Sequence, residues 1–234
     1  MFFNFRTWFL PKIISNMDFS DLKPIDLDKI ETVDFPADQY FSEEYEKKQI
    51  VLHHTVSGPD VRGDINTWIR DTRRIATCII IDGTGVPHQL FSSKYWAGHL
   101  GTGKSILDKE SIGVEIDNWG WLKPTDNPKK WETFYGNKVE VEVQEYPNLF
   151  RDYRYYEKYK EAQLKTLGEL LLFWNQRYGI PLTYNEDMWE VSQRALEGMP
   201  GVWSHTSYRP KPDKTDCHPQ PELIELLKTL PTLI

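Results

Sequence analysis

Three short stretches of this sequence carry side chains that could do chemistry together. Gln49 to Thr55 is a β-type apolar run that ends in two histidines, His53 and His54. Ser111 to Ile116 is another apolar run, with Glu115 inside it. Ser204-His205-Thr206-Ser207-Tyr208 leads into Lys214-Thr215-Asp216-Cys217-His218. Taken singly, each has a bland explanation: a histidine at a strand end is usually hydrogen-bonded or solvated, and a strand glutamate usually faces water. Taken together, they supply what a catalytic zinc ion needs, three protein ligands of the N, O or S type with one position left for water. They also supply a carboxylate to act as base.

Such groups must be positioned by a scaffold, and the hydrophobic pattern indicates which kind. Asp64 to Arg74 has helical character, with Ile65, Trp68 and Ile69 on one side and charges on the other. Cys78 to Asp82 reads as a buried strand, and Asp82-Gly83-Thr84-Gly85 turns it back into Val86 to Phe91. Glu161 to Tyr178 places Leu164, Leu167, Leu170, Leu171 and Trp174 at helical spacing and is closed by Gly179 and Pro181. Gln220 to Ile234, opening on Pro221, suits a final packing helix. Strands alternating with helices predict an α/β fold, a mixed central sheet flanked by helices.

Trp119 to Tyr159 is dense in aromatics and charges with poor periodicity; it reads as a surface insertion holding a short hairpin around Lys138 to Val143. Residues 1–45 read as an arm, either packed along the domain or a partly ordered tail, ahead of a single catalytic domain over 46–234. The apolar stretch from Met1 to Met17 is interrupted by Arg6 and Pro11, so it predicts neither a signal peptide nor a bilayer span, and Met1 and Met17 stand as alternative starts.

Composition narrows the function classes. A net charge of -7 argues against a nucleic-acid binder, which needs a surplus of Lys and Arg on one face. The two cysteines, Cys78 in an apolar run and Cys217 in a polar one, argue against a disulfide framework and for a reducing compartment. Nine Trp and twelve Tyr suit a protein that stacks flat rings on sugars or peptides, and equally an aromatic core.

Ile50-Val51-Leu52-His53-His54-Thr55, Ser111-Ile112-Gly113-Val114-Glu115-Ile116, and Ser204-His205 followed by Lys214-Thr215-Asp216 resemble, in this order, the type 2 N-acetylmuramoyl-L-alanine amidases. That family includes phage endolysins, bacterial amidases and the peptidoglycan recognition proteins. Asp82-Gly83-Thr84-Gly85-Val86 and Tyr95-Trp96-Ala97-Gly98-His99-Leu100-Gly101 support the resemblance, which runs from about Gln49 to Leu230. It implies one zinc ion held by His53, His205 and Asp216, with Cys217 a competitor for the third position because some members place a cysteine there. It implies that a zinc-bound water attacks the amide between N-acetylmuramic acid and L-alanine, with Glu115 as general base and acid. Lys214 would stabilise the oxyanion. Some members carry a catalytic tyrosine on the strand that here reads Ile75-Ala76-Thr77-Cys78; its absence places the proton work on Glu115. Trp96, His99 and Asn118 are the candidates for substrate contact. His54, following His53 on a strand, should face the other way, and His218 reads as a polar turn residue before Pro219.

The partner expected is bacterial peptidoglycan or its muropeptide fragments, met by a cytoplasmic monomer with no nucleic-acid or membrane partner. Endolysin and fragment-trimming enzyme are both open. So are a non-catalytic peptidoglycan-binding module and a zinc peptidase acting within the stem peptide.

Overall fold

The computed structural model describes residues 17–234. The apolar stretch read as neither signal peptide nor span lies, before Met17, outside the described residues. Among the described residues no helix is long and apolar enough to cross a membrane.

The chain runs β1 (Glu31–Thr32), β2 (Gln49–His54), α1 (Val61–Arg70), β3 (Ile79–Ile81), β4 (Pro87–Gln89), α2 (Ser105–Lys109), β5 (Ser111–Ile116) and β6 (Trp121–Pro124). It continues through β7 (Trp131–Glu132), β8 (Lys138–Val139), β9 (Val143–Phe150), β10 (Tyr153–Glu157), α3 (Glu161–Tyr178), α4 (Gln193–Leu196), β11 (Gly201–Ser204) and α5 (Pro221–Thr229). The central sheet has the order β1-β4-β3-β5-β2-β11, with β3 and β4 antiparallel and the other neighbours parallel. This is the mixed sheet that the sequence pattern predicts.

Burial on both faces explains why β2 and β5 read as nearly continuous apolar runs, since strands covered on both sides cannot alternate. One cover is α3, whose Leu164, Leu167, Leu170, Leu171 and Trp174 are buried as their spacing requires. It ends where Gly179 adopts the left-handed conformation, φ 69°, and returns its N–H to the Asn175 carbonyl. Helix α1 starts three residues before the expected position because Asp60 caps it, accepting from the Arg62 N–H. It also stops early: the Asp71 side chain takes the Arg73 N–H instead of letting the turn continue. Strand β11 is a further finding, four residues flanked by Pro200 and too short to register as a periodic signal.

The reading of 119–159 as a surface insertion holding a short hairpin around Lys138 to Val143 needs correction: Lys138 and Val139 pair back with Trp131 and Glu132, and Val143 pairs with Glu157. These residues build a second, antiparallel sheet of order β8-β7-β6-β10-β9. Its aromatics join the main core: Trp121 stacks on Tyr153 at 4.1 Å, and Tyr146, Phe150, Tyr156 and Tyr159 are fully buried. Periodicity is poor because three of the strands are only two to four residues long and β10 carries a register shift between Tyr153 and Tyr155.

Within the arm, residues 17–45 are part of the body. β1 adds to the sheet edge beside β4, Phe41 pairs with Trp96 through backbone bonds, and Phe19, Ile25 and Phe35 belong to the main core. Phe35→Ala should therefore destabilise the protein by about 3–5 kcal/mol. Leu27→Ala, at a side chain left 59% exposed, should stay within about 0.5 kcal/mol. Urea unfolding of both variants measures the difference; equal small effects would mean that the arm does not pack as described.

Candidate metal centre

Parallel pairing sets the site. On β2 and β5, His53 lies opposite Glu115, and on β2 and β11, Leu52 lies opposite Ser204, so His205, one residue beyond β11, continues the same row. Residues opposite one another across a ladder share a face, so Glu115, His53 and His205 project to one side at the carboxyl ends of three adjacent strands. Ligand sites in sheets with parallel strands collect at such ends. Asp216 arrives from the loop before α5, its carbonyl accepting the Thr206 N–H at 2.9 Å.

The ligand-type atoms of His53, His205 and Asp216 converge, all three side chains buried. His53 Nδ1 is 2.9 Å from His205 Nδ1, His205 Nδ1 is 3.0 Å from Asp216 Oδ2, and His53 Nδ1 is 3.4 Å from the same oxygen. The remaining ring nitrogens are committed elsewhere. Ser111 Oγ donates to the Leu107 carbonyl, so it accepts from His99 Nε2–H at 2.8 Å. His99 Nδ1 is then a lone pair and accepts from His53 Nε2–H at 3.0 Å. His205 Nε2–H donates to the Leu100 carbonyl at 3.2 Å. A neutral imidazole has one N–H and one lone pair, so both Nδ1 atoms present lone pairs to each other and to a carboxylate.

Three lone-pair atoms at this separation repel unless a positive charge, a proton or a metal cation, lies among them. Ligands held by zinc at about 2.0–2.2 Å in a tetrahedron lie about 3.3 Å apart, so the triangle has the size and the donor set that zinc requires. Burial pushes the pKa of His53 and of His99 down to about 3, which keeps both rings neutral and able to coordinate or to orient a ligand. Burial alone would raise the Asp216 carboxyl; a positive charge at the His205 and His53 nitrogens that face it outweighs burial and holds the group well below the usual range, so the carboxylate is the form that meets a cation here.

The triangle opens on a cleft of about 220 Å³ that Glu115, Lys214 and His99 also line. Glu115 Oε2 is buried without a hydrogen-bond partner. Burial, followed by the charges of Asp216 and Asp64, raises its carboxyl well above the ordinary value, which Lys214 opposes. Gly113, two residues earlier on the same strand face, leaves room for this arrangement: a Cβ would meet Thr77 Cγ2 at 2.9 Å and Nδ1 of the His99 ring that orients His53 at 3.0 Å. The stretch without the tyrosine contributes Ile75, Ala76 and Thr77 to the wall.

Other candidates lie elsewhere. Trp96 stacks on Phe41 of the arm at 4.0 Å and does not line this cleft. Asn118 is buried in a turn, accepting from the Gly120 N–H and donating to the Glu157 carbonyl. The Cys217 thiol, pushed well up by burial, interacts with the Tyr159 hydroxyl and is outside the triangle. The His54 ring turns away from the triangle to the Tyr159 hydroxyl, as expected from strand alternation, while the residue still borders the cleft beside His53. His218 is corrected from a polar turn residue to a fully buried one, packed on the rings of Tyr156 and Tyr159, because its two nitrogens find the Tyr146 hydroxyl and the Glu157 carbonyl. Asp64 and Trp68, one helical turn apart on α1, both line the cleft. Their i,i+4 spacing was the available signal, hidden because Trp68 reads as core and Asp64 as solvated.

Comparison with known proteins adds the lineage. Residues 44–221 match the family profile described as N-acetylmuramoyl-L-alanine amidase. No curated protein sequence matches the chain. Among solved structures, a mutant of PlyL aligns with TM-score 0.52 and 14% identity over 86% of this chain and 97% of that one. The PlyG catalytic domain gives 0.50 and 14%, over 86% and 94%. The XlyA catalytic domain gives 0.50 and 13%, over 86% and 98%. At these identities the structural likeness speaks to the fold.

Zinc titration against a chromophoric chelator tests the centre. His53→Ala, His205→Ala and Asp216→Ala should each weaken zinc binding sharply, whereas Cys217→Ser should bind as the parent does. Loss of zinc in the Cys217 variant with retention in the Asp216 variant would reverse the assignment of the third ligand.

Proposed function

This chain belongs to the N-acetylmuramoyl-L-alanine amidase family and is a peptidoglycan amidase, and we propose that it works through one zinc ion held by His53, His205 and Asp216, with Glu115 moving the proton and Lys214 facing the developing oxyanion. The observation that carries this reading is the buried triangle of two histidine lone pairs and a carboxylate, every other ring nitrogen of which is already hydrogen-bonded. Zinc supplies Lewis acidity there, lowering the pKa of water toward about 7 and polarising a carbonyl.

The chain's own residues do the rest. The bond to be broken joins the lactyl carbonyl of N-acetylmuramic acid to the nitrogen of L-alanine. As water adds to that carbonyl carbon, Glu115 takes its proton through the oxygen that has no protein partner. When the carbon–nitrogen bond breaks, the same carboxyl returns the proton to the departing nitrogen, which would otherwise leave as an amide anion. Lys214, on the cleft wall, sets a fixed cation where negative charge gathers on the carbonyl oxygen. His99 and Ser111 hold the His53 ring in the tautomer that leaves Nδ1 free.

Digestion of purified peptidoglycan, with mass spectrometry of the products, tests the reading. Stem peptides with a free N-terminal L-alanine should appear with zinc and vanish with a chelator. Cuts inside the peptide would indicate a peptidase, and bound but uncut wall a binding module. Comparison of intact sacculi with soluble muropeptides separates an endolysin from a fragment-trimming enzyme. Glu115→Gln should abolish turnover and keep zinc, and Lys214→Met should lower kcat by roughly 10²–10³-fold with zinc still bound.

The pH profile gives a further test with a definite sign. Glu115 must be ionised to act as base, and its raised pKa moves the acid limb of the rate profile upward. Asp64 contributes to that rise as a like charge. Asp64→Asn should therefore shift the acid limb to lower pH; an unchanged limb, or one shifted upward, would remove Asp64 from this electrostatic role.

A further inference from the structure

Arg151 occupies the two-residue turn between β9 and β10, where Tyr153 pairs with Phe150. It and Asp152 both have positive φ, 47° and 73°, the backbone of a turn that ordinarily takes Asn-Gly, so two side-chain-bearing residues accept strain here. The guanidinium is nevertheless buried. It donates from Nη2 to the Thr206 carbonyl at 2.7 Å and from Nη1 to the Arg209 carbonyl at 2.9 Å, with a longer approach to the Trp189 carbonyl at 3.5 Å. The nearest carboxylate oxygen is on the mostly exposed Glu190, 3.9 Å away. A buried cation is costly unless its donors are well used; both Nη atoms are used on the backbone of the turn that carries His205, while Nε is buried without a partner.

Thr206 links this contact to both ends of the metal centre. It follows His205 directly, its N–H is bound to the Asp216 carbonyl at 2.9 Å, and its own carbonyl is held by Arg151. The opposite side of the turn is fixed by the Thr206 and Ser207 hydroxyls, both donating to the Met188 carbonyl. Arg151 therefore holds the turn through the Thr206 carbonyl, and the β9–β10 hairpin of the second sheet is what brings it there.

We propose that Arg151 is a positioning residue for the metal centre, its hairpin guanidinium fixing the His205 turn and, through Thr206, the approach of Asp216. The inference rests on the zinc reading above. Electrostatics alone predicts the opposite sign: removing a cation near a dication site should tighten metal binding, so weaker binding on its removal identifies positioning.

The test is zinc affinity by chelator competition on the full chain, with the metal-free fold checked by circular dichroism. Arg151→Met should bind zinc about 10–100-fold more weakly. Arg151→Lys, which keeps the charge but serves fewer carbonyls and lacks the planar fork, should fall between it and the parent. It carries the test if the Met variant does not fold. Trp131→Ala loosens the second sheet at its contact with Tyr155, away from the turn, and should bind zinc as the parent does. With saturating zinc, the Arg151 variants should lose kcat more than they change KM. Parent-like or tighter zinc binding in the Arg151 variants overturns the proposal, as does an equal loss in Trp131→Ala. A parent protein that binds no zinc is a different result and would instead overturn the metal reading.

Discussion

Parallel pairing of β2 between β5 and β11 is the constraint on which the rest depends, because it alone converts three distant stretches of chain into one row of side chains. The register that sets His53 opposite Glu115 also sets the end of β2 level with the end of β11, and His205 follows. A slip of one residue on β2 would turn His53 into the opposite face and bring His54 into its place. The apolar residues of β2 prevent that slip: Ile50, Val51 and Leu52 are wholly buried, and covers on both faces leave the strand no alternative alignment that keeps its core filled.

Around that row the structure commits each polar atom in turn. Ser111 orients His99, His99 orients His53, and the Leu100 carbonyl orients His205, so that the two nitrogens left over point at Asp216. The order matters because each ring can be a donor or an acceptor at either nitrogen, and only the far end of the chain of bonds, a serine hydroxyl on a main-chain carbonyl, fixes the sequence of choices. Burial works in the same direction by disfavouring the imidazolium forms of His53 and His99. Glu115, lying beside these groups with one oxygen unpartnered, is the polar group that this network leaves available.

Two additions buttress the shared core. The arm contributes an edge strand and a stack of Tyr40 between Phe91 and Tyr95, which supports the loop leading to His99. The second sheet contributes aromatic mass, including the rings that enclose His218 behind the site, and the hairpin whose arginine reaches the His205 turn.

The sequence by itself determined the elements with strong local signals. β5 and α3 occur with the predicted bounds, β2 is one residue shorter, and α5 falls within the predicted range, because long apolar runs and helical leucine spacing depend on neighbours only for burial. It also singled out His53, Glu115, His205 and Asp216 as candidates, through their strings and the family these resemble, and the fold brings the two histidines and the aspartate together. The tertiary structure alone decided what depends on pairing between distant segments. Strands of two to four residues carry too little periodicity to be read, so the second sheet and β11 emerge only when their hydrogen-bond partners are present. Whether Trp96, Asn118 or Asp64 faces the cleft was likewise fixed by packing: an indole on Phe41, an amide in a turn and a carboxylate on the inner side of α1 have no local signature of direction. Which of Asp216 and Cys217 joins the two histidines belongs here too, because the two are adjacent in sequence and only the fold turns one into the triangle and the other toward Tyr159.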